Sequence, residues 1–65
     1  MNQYVTGAVI KELREKYHFT QAELAERLNV SDKTISKWEC GKGLPEISLM
    51  MPLCEALQIT VNDLH

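Results

Sequence analysis

Apolar residues recur at helical intervals along this chain, and short polar clusters interrupt them after Tyr17, Leu28, Cys40 and Leu57. Val9, Ile10, Leu13 and Tyr17 share one helix face, while Lys11, Glu12, Arg14, Glu15 and Lys16 mostly look outward. Thr6 is placed to cap this first helix, which runs to about Tyr17. His18 ends it, because histidine tolerates a left-handed backbone better than most non-glycine residues. Thr20 and Glu23 form a T-x-x-E capping box for a second helix to about Leu28, with Asn29 as the left-handed residue behind it. Ser31 caps a third helix through about Cys40, and Gly41 and Gly43 stop it. A fourth helix covers about Ile47 to Leu57. Proline is comfortable only in a first turn, so Pro52 argues for a late start near Ser48 rather than a bend. Thr60 and Asp63 offer a last box, T-x-x-D, for a short fifth helix reaching Leu64. No segment reads as a strand, and the predicted fold is all-α, a compact five-helix bundle forming one domain over residues 1–65.

The segment Gln21 to Cys40 carries the most information. Leu24, Ala25 and Leu28 line one helix, Val30 plugs the turn, and Ile35 and Trp38 repeat at i, i+3 on the next. Two short helices joined by a tight turn in this way make a helix-turn-helix. Such a unit holds its second helix against the major groove of DNA while the first crosses the backbone. Ala25 stands where the two helices come closest, so a larger side chain there would wedge them apart.

Composition narrows the function classes. With 65 residues the chain is one small domain, and 45% apolar residues suffice for a single core but not for an elaborate catalytic cleft. Seven basic against nine acidic residues, a net charge of −2, argues against indiscriminate coating of nucleic acid, since non-specific affinity scales with the phosphates neutralised. A few placed lysines must then carry any DNA binding. No apolar run approaches a membrane span and no signal-peptide plan is present, so a cytoplasmic protein, nucleoid-associated when bound, is expected. Cys40, Cys54, His18 and His65 do not stand at metal-ligand spacing, and neither a metal nor another cofactor is expected. Cys54, between Leu53 and Ala56, reads as a small core hydrophobe, and Cys40 receives no role.

The ordered set IKELREKYHFTQAELAERLNVSDKTISKWECGKGLPE, followed by an apolar helix and ITVNDL, resembles the DNA-binding domain of the Cro and phage-repressor type, the xenobiotic-response-element family of bacterial regulators. Its most specific parts are TQAELA, NVSDKTISKWE and GKGLP. The resemblance implies a lambda-repressor-like fold and a sequence-specific DNA-binding domain of a transcription regulator, most often a repressor, whose third helix (about 32–39) reads the major groove. It places Asp32, Lys33, Ser36 and Lys37 at base edges. Chemistry agrees in part. Lysine can donate to guanine and serine can serve either role, whereas aspartate can accept from cytosine N4 but would repel a nearby phosphate, and can equally serve the helix dipole. Phosphate contacts are expected from Thr20 and Gln21 at the start of the second helix, from Thr34, and from Lys42 and Gly43 in the loop after the third. Arg14 and Glu39 occupy positions that pair as a structural ion pair in related phage repressors. Trp38 could stack on sugar-phosphate, but its spacing from Ile35 favours a half-buried core edge.

The fourth helix carries two apolar stripes: Leu49, Met50, Leu53 and Leu57 form one, and Ile47, Met51 and Cys54 the other. The second either packs beneath the glycine-bearing loop or meets another protomer. Relatives bind double-stranded DNA as two-fold pairs on half-sites about one helical turn apart. Met51, Val61 and Leu64 are the candidate dimer contacts, a patch too small for a stable interface, so a monomer or weak dimer in solution that becomes a homodimer on the operator is expected. The alternative class is a protein-interaction module, an antitoxin or bridging factor using the apolar faces of the fourth and fifth helices. An enzyme finds no support in the residues.

Overall fold

In the computed structural model, which describes residues 2–59, the chain forms α1 (Gln3–Lys16), α2 (Gln21–Leu28), α3 (Asp32–Glu39) and α4 (Ile47–Leu57). The all-helical class agrees with the sequence, but the five-helix count does not: the described residues hold four helices. The fifth helix expected over Thr60 to Leu64, with its capping box, lies outside the described residues. No helix among the described residues is long and apolar enough to cross a membrane.

Local chemistry sets the helix ends. Thr20 Oγ1 accepts from Glu23 N at 3.0 Å while Thr20 N donates to Glu23 Oε1 at 2.9 Å, a complete capping box. Ser31 Oγ accepts from Thr34 N at 3.2 Å. The start of α1 differs from the sequence expectation. Asn2, not Thr6, is the cap, its side chain accepting from the N–H of Tyr4 and Val5. Thr6 sits inside the helix and is buried.

All four helices stop in the same way. A residue at positive φ, His18 (62°), Asn29 (58°), Gly41 (73°) or Gln58 (58°), donates three residues back, and the next residue's N–H reaches five back. This is the Schellman arrangement, which satisfies carbonyls the helix leaves open. The following side chain is Phe19, Val30 or Ile59 in three cases, each packed against the core. After α3 it is Lys42, which stays exposed.

Ile10, Leu24, Ile35, Leu53 and Leu57 are fully buried, so every helix contributes to one core. Each such side chain is worth about 1.5–3 kcal/mol, more than any single cap at about 1 kcal/mol, and the shared core rather than helix propensity holds the helices together. α3 packs against both α1 and α2, and α4 packs chiefly on α2. α4 begins at Ile47, one residue before the expected late start, and Pro52 lies inside it. The missing N–H of Pro52 removes the hydrogen bond that Ser48 would have received. Cys54 leaves the second stripe for the core, whereas Ile47 (92% exposed) and Met51 (62%) remain uncovered by the described residues.

Candidate nucleic-acid interface

One side of α3 is committed to the interior. Ile35 and Trp38 are buried, and the Glu39 side chain is only 3% exposed. Trp38 is therefore a full core residue rather than the half-buried edge expected, and its ring is not available for stacking on DNA. At about 100° per residue, Asp32, Lys33, Ser36, Lys37 and Cys40 fall on the opposite arc, about 140° wide. Asp32, Lys33, Lys37 and Cys40 are exposed and Ser36 is half-buried. Lys33 and Lys37 stand one turn apart, about 6 Å along the axis. Cys40, given no role from sequence, thus ends the outward stripe; its i+4 spacing from Ser36 was the available signal.

The stripe is held by a polar joint among three helices. Arg14 Nε donates to Glu39 Oε2 at 2.6 Å and Arg14 Nη2 to Glu39 Oε1 at 3.2 Å, while Arg14 Nη1 donates to the Phe19 carbonyl at 2.7 Å. Gln21 Nε2 donates to Glu39 Oε1 at 3.1 Å. The hydrogen bond that Arg14 donates to Glu39 holds its guanidinium above the ordinary pKa, against the opposing effect of burial, so Arg14 stays charged. The charged end of α3 is thereby pinned to α1 and to the start of α2.

The expected backbone contacts fall into three places. Thr20 and Gln21 open α2, where the capping box takes the N–H of Glu23 and of Thr20 and leaves those of Gln21 and Ala22 without a helical partner. Thr20 holds the exposed Glu23 carboxyl below its usual range, first through its backbone N–H and then through its hydroxyl. Thr34 lies at the edge of the stripe, its hydroxyl 3.0 Å from Ser31 Oγ, lining a shallow cleft with Val30, Trp38 and Leu44. Lys42 is exposed beyond the end of α3, and a Cβ on Gly43 would meet nothing within 4 Å. Of the candidate dimer contacts only Met51 is described; Val61 and Leu64 lie outside the described residues.

Two glycine contacts escaped the sequence reading. A Cβ on Gly7 would collide with the Trp38 carbonyl oxygen, so α1 crosses the C-terminal part of α3 at main-chain contact. A glycine inside a helical pattern was the available signal. Gly41 needs its missing side chain twice, for its φ of 73° and because the Tyr4 ring lies against it, with Tyr4 Cε1 2.9 Å from where a Cβ would stand.

The helix-turn-helix family profile matches residues 10–64. Over 55 residues the chain is 38% identical to the HTH-type transcriptional activator BcrR of Enterococcus faecalis, covering 85% of this chain and 27% of that protein. It is 44% identical over 48 residues to the 26 kDa repressor protein of Escherichia phage HK022, covering 74% of this chain and 20% of that one. The chain therefore spans about a quarter of the length of these relatives. Among solved structures, the clp gene regulator ClgR of Corynebacterium glutamicum superimposes with a TM-score of 0.88 at 30% identity, over 98% of this chain and 68% of that one.

Proposed function

Because the chain belongs to the helix-turn-helix family of the Cro and phage-repressor type, we propose that it is the sequence-specific, duplex-DNA-binding part of a transcription regulator of the repressor kind. The observation that carries this reading is the division of α3 into two faces. Its inner face is locked by Ile35, Trp38 and the Arg14–Glu39 pair, and its outer face offers the exposed Lys33 and Lys37 with the half-buried Ser36 between them. A rigid helix with donors spaced by one turn suits base edges in the major groove. Asp32 stands at the first turn of α3, where it both favours the helix dipole and is placed to accept from cytosine. The unpaired N–H groups of Gln21 and Ala22 at the start of α2, with the side chains of Thr20, Gln21 and Thr34, Lys42 and the open backbone at Gly43, supply the phosphate contacts that fix register. We assign the domain no catalysis and place it in the cytoplasm.

Placed lysines also reconcile DNA binding with an acidic chain. The net charge is −2, yet Lys33, Lys37 and Lys42 outnumber Asp32 on the surface proposed to face DNA. Pairing on a two-fold operator supplies the selectivity one helix lacks, and the uncovered Ile47 and Met51 suit a small contact of that kind. The test is selection of duplexes from a random pool, followed by binding of the Lys33→Ala/Lys37→Ala variant. Recovery of a consensus with two-fold symmetry, and loss of about 1–3 kcal/mol of preference at one or more base pairs in the variant, is the expected result. A variant that bound the selected duplex as tightly as wild type would overturn the assignment of α3.

A further inference from the structure

We infer that Glu39 is a positioning residue for the DNA-backbone contact made by Gln21, and not solely the structural partner of Arg14. The inference rests on the reading of the start of α2 as a phosphate site. Gln21 and Glu39 are 18 residues apart in sequence, and the fold brings the amide of one to 3.1 Å from the carboxylate of the other. A carboxylate oxygen only accepts, so the nitrogen of the Gln21 amide, not its oxygen, must face Glu39. One of its two N–H groups is thereby used and the other is left over. The main-chain N–H groups of Gln21 and Ala22 are left over at the same helix start, since the capping box occupies those of Thr20 and Glu23.

Glu39 is well suited to hold an amide still. Its side chain is 3% exposed, Arg14 grips both of its oxygens, and Arg14 is itself tied to the Phe19 carbonyl. Oε1 accepts from Arg14 and from Gln21 together. A free glutamine at a helix start would lose rotamer freedom when it met a phosphate, whereas here that cost falls on folding instead of on binding. The joint also sets the distance between a backbone contact on α2 and the C-terminal end of the helix proposed to read bases. Phosphate register and base register are thus set by one carboxylate.

The probe is a duplex recovered from the random pool, and the readouts are its affinity at fixed salt and the slope of log affinity against log salt. A phosphate bond from a neutral amide releases no counterion, so its loss should weaken binding by about threefold to tenfold and leave the slope unmoved. Gln21→Ala should weaken binding by about that amount. Glu39→Gln should do the same, because its amide must turn its NH2 toward either Arg14 Nε or Gln21 Nε2, and the shorter Arg14 bond, 2.6 Å against 3.1 Å, claims the oxygen; the double variant should lose nothing further. Measured at a temperature where each variant is folded by circular dichroism, a purely structural role for Glu39 would leave the loss from Gln21→Ala undiminished in the Glu39→Gln background. Wild-type affinity in Glu39→Gln, a steeper salt slope from a released Arg14, or additive losses in the double variant would overturn the inference. The wild-type protein gives a second test free of folding effects. One Gln21 side-chain amide proton should be shifted downfield in the free protein and the other should move on adding the duplex; two unperturbed protons in the free protein would overturn the inference. Failure of the wild type to select any duplex would instead refute the DNA-binding reading itself.

Discussion

Gly7 of α1 lies directly against the main-chain carbonyl of Trp38 in α3, with the Glu39 carbonyl 3.1 Å from the point a Cβ would occupy. The neighbours are backbone atoms, which cannot swing aside like the end of a flexible side chain. Gly7→Ala should gain about 1 kcal/mol of helix propensity and lose about 1–3 kcal/mol to overpacking, for a net destabilisation of about 1–2 kcal/mol. Urea unfolding measures the balance. A Gly7→Ala variant more stable than wild type would show that α1 and α3 are not in main-chain contact.

Gly41 makes a separable prediction. Gly41→Ala should cost about 1–2 kcal/mol for the left-handed backbone, plus a steric penalty against the Tyr4 ring. Tyr4 is 68% exposed, so its ring has room to move and the steric part should be the smaller. In a Tyr4→Ala background the same substitution should cost less than in wild type, but still more than zero. Equal costs in both backgrounds would show that the ring exerts no steric penalty, and no cost in either would refute the backbone argument.

The parts of the fold legible in sequence are those written within four or five residues. Thr20 with Glu23, Ser31, His18 and Asn29 announce helix ends because the hydrogen bonds they make are local. The same logic misplaced the start of α1. Thr6 has a capping side chain, yet its burial in the core outweighs that preference, and Asn2 takes the cap instead. Gln58 was not legible as a left-handed residue since nothing in a glutamine side chain favours that backbone; the apolar Ile59 behind it, packed on the core, accompanies the turn. The joint of Arg14, Gln21 and Glu39 could not be read at all from periodicity. Its members are 25 and 18 residues apart, and only the family resemblance pointed to the ion pair. The stripe Asp32, Lys33, Ser36 and Lys37 was readable because the positions of Ile35 and Trp38 fix which side of α3 turns inward.

The capping box carries a pH dependence of known sign. Glu23 has its folded pKa lowered from the ordinary glutamate value near 4.5, so it binds fewer protons folded than unfolded. Its contribution is therefore present above the unfolded pKa and is lost as pH falls through the folded one. Glu23→Gln keeps the hydrogen bond to Thr20 N but removes the charge. Wild type should melt above this variant at neutral pH, and the difference should close between about pH 5 and pH 2. A difference in Tm that stayed constant across that range would show that the carboxylate charge contributes nothing to the cap.

The Arg14–Glu39 pair should behave as a buried pair, in spite of the small size of the domain. Its side chains are 11% and 3% exposed, so salt has little access and screening should be weak. Removing one partner is then worse than removing both. Glu39→Ala leaves the Arg14 guanidinium with the Phe19 carbonyl and only the weaker attraction of Glu15, a loss of about 3 kcal/mol. A domain of 65 residues has only about 3–10 kcal/mol to lose, so this variant should be visibly destabilised. Arg14→Met combined with Glu39→Leu removes the desolvated charges together and fills the space with apolar groups, which commonly restores most or all of the stability. Urea melts at low and high salt would separate the outcomes. If the double variant were no more stable than Glu39→Ala, the pair would be needed for its shape and its hydrogen bonds to Phe19 and Gln21, and a balance of desolvation against attraction would not describe it.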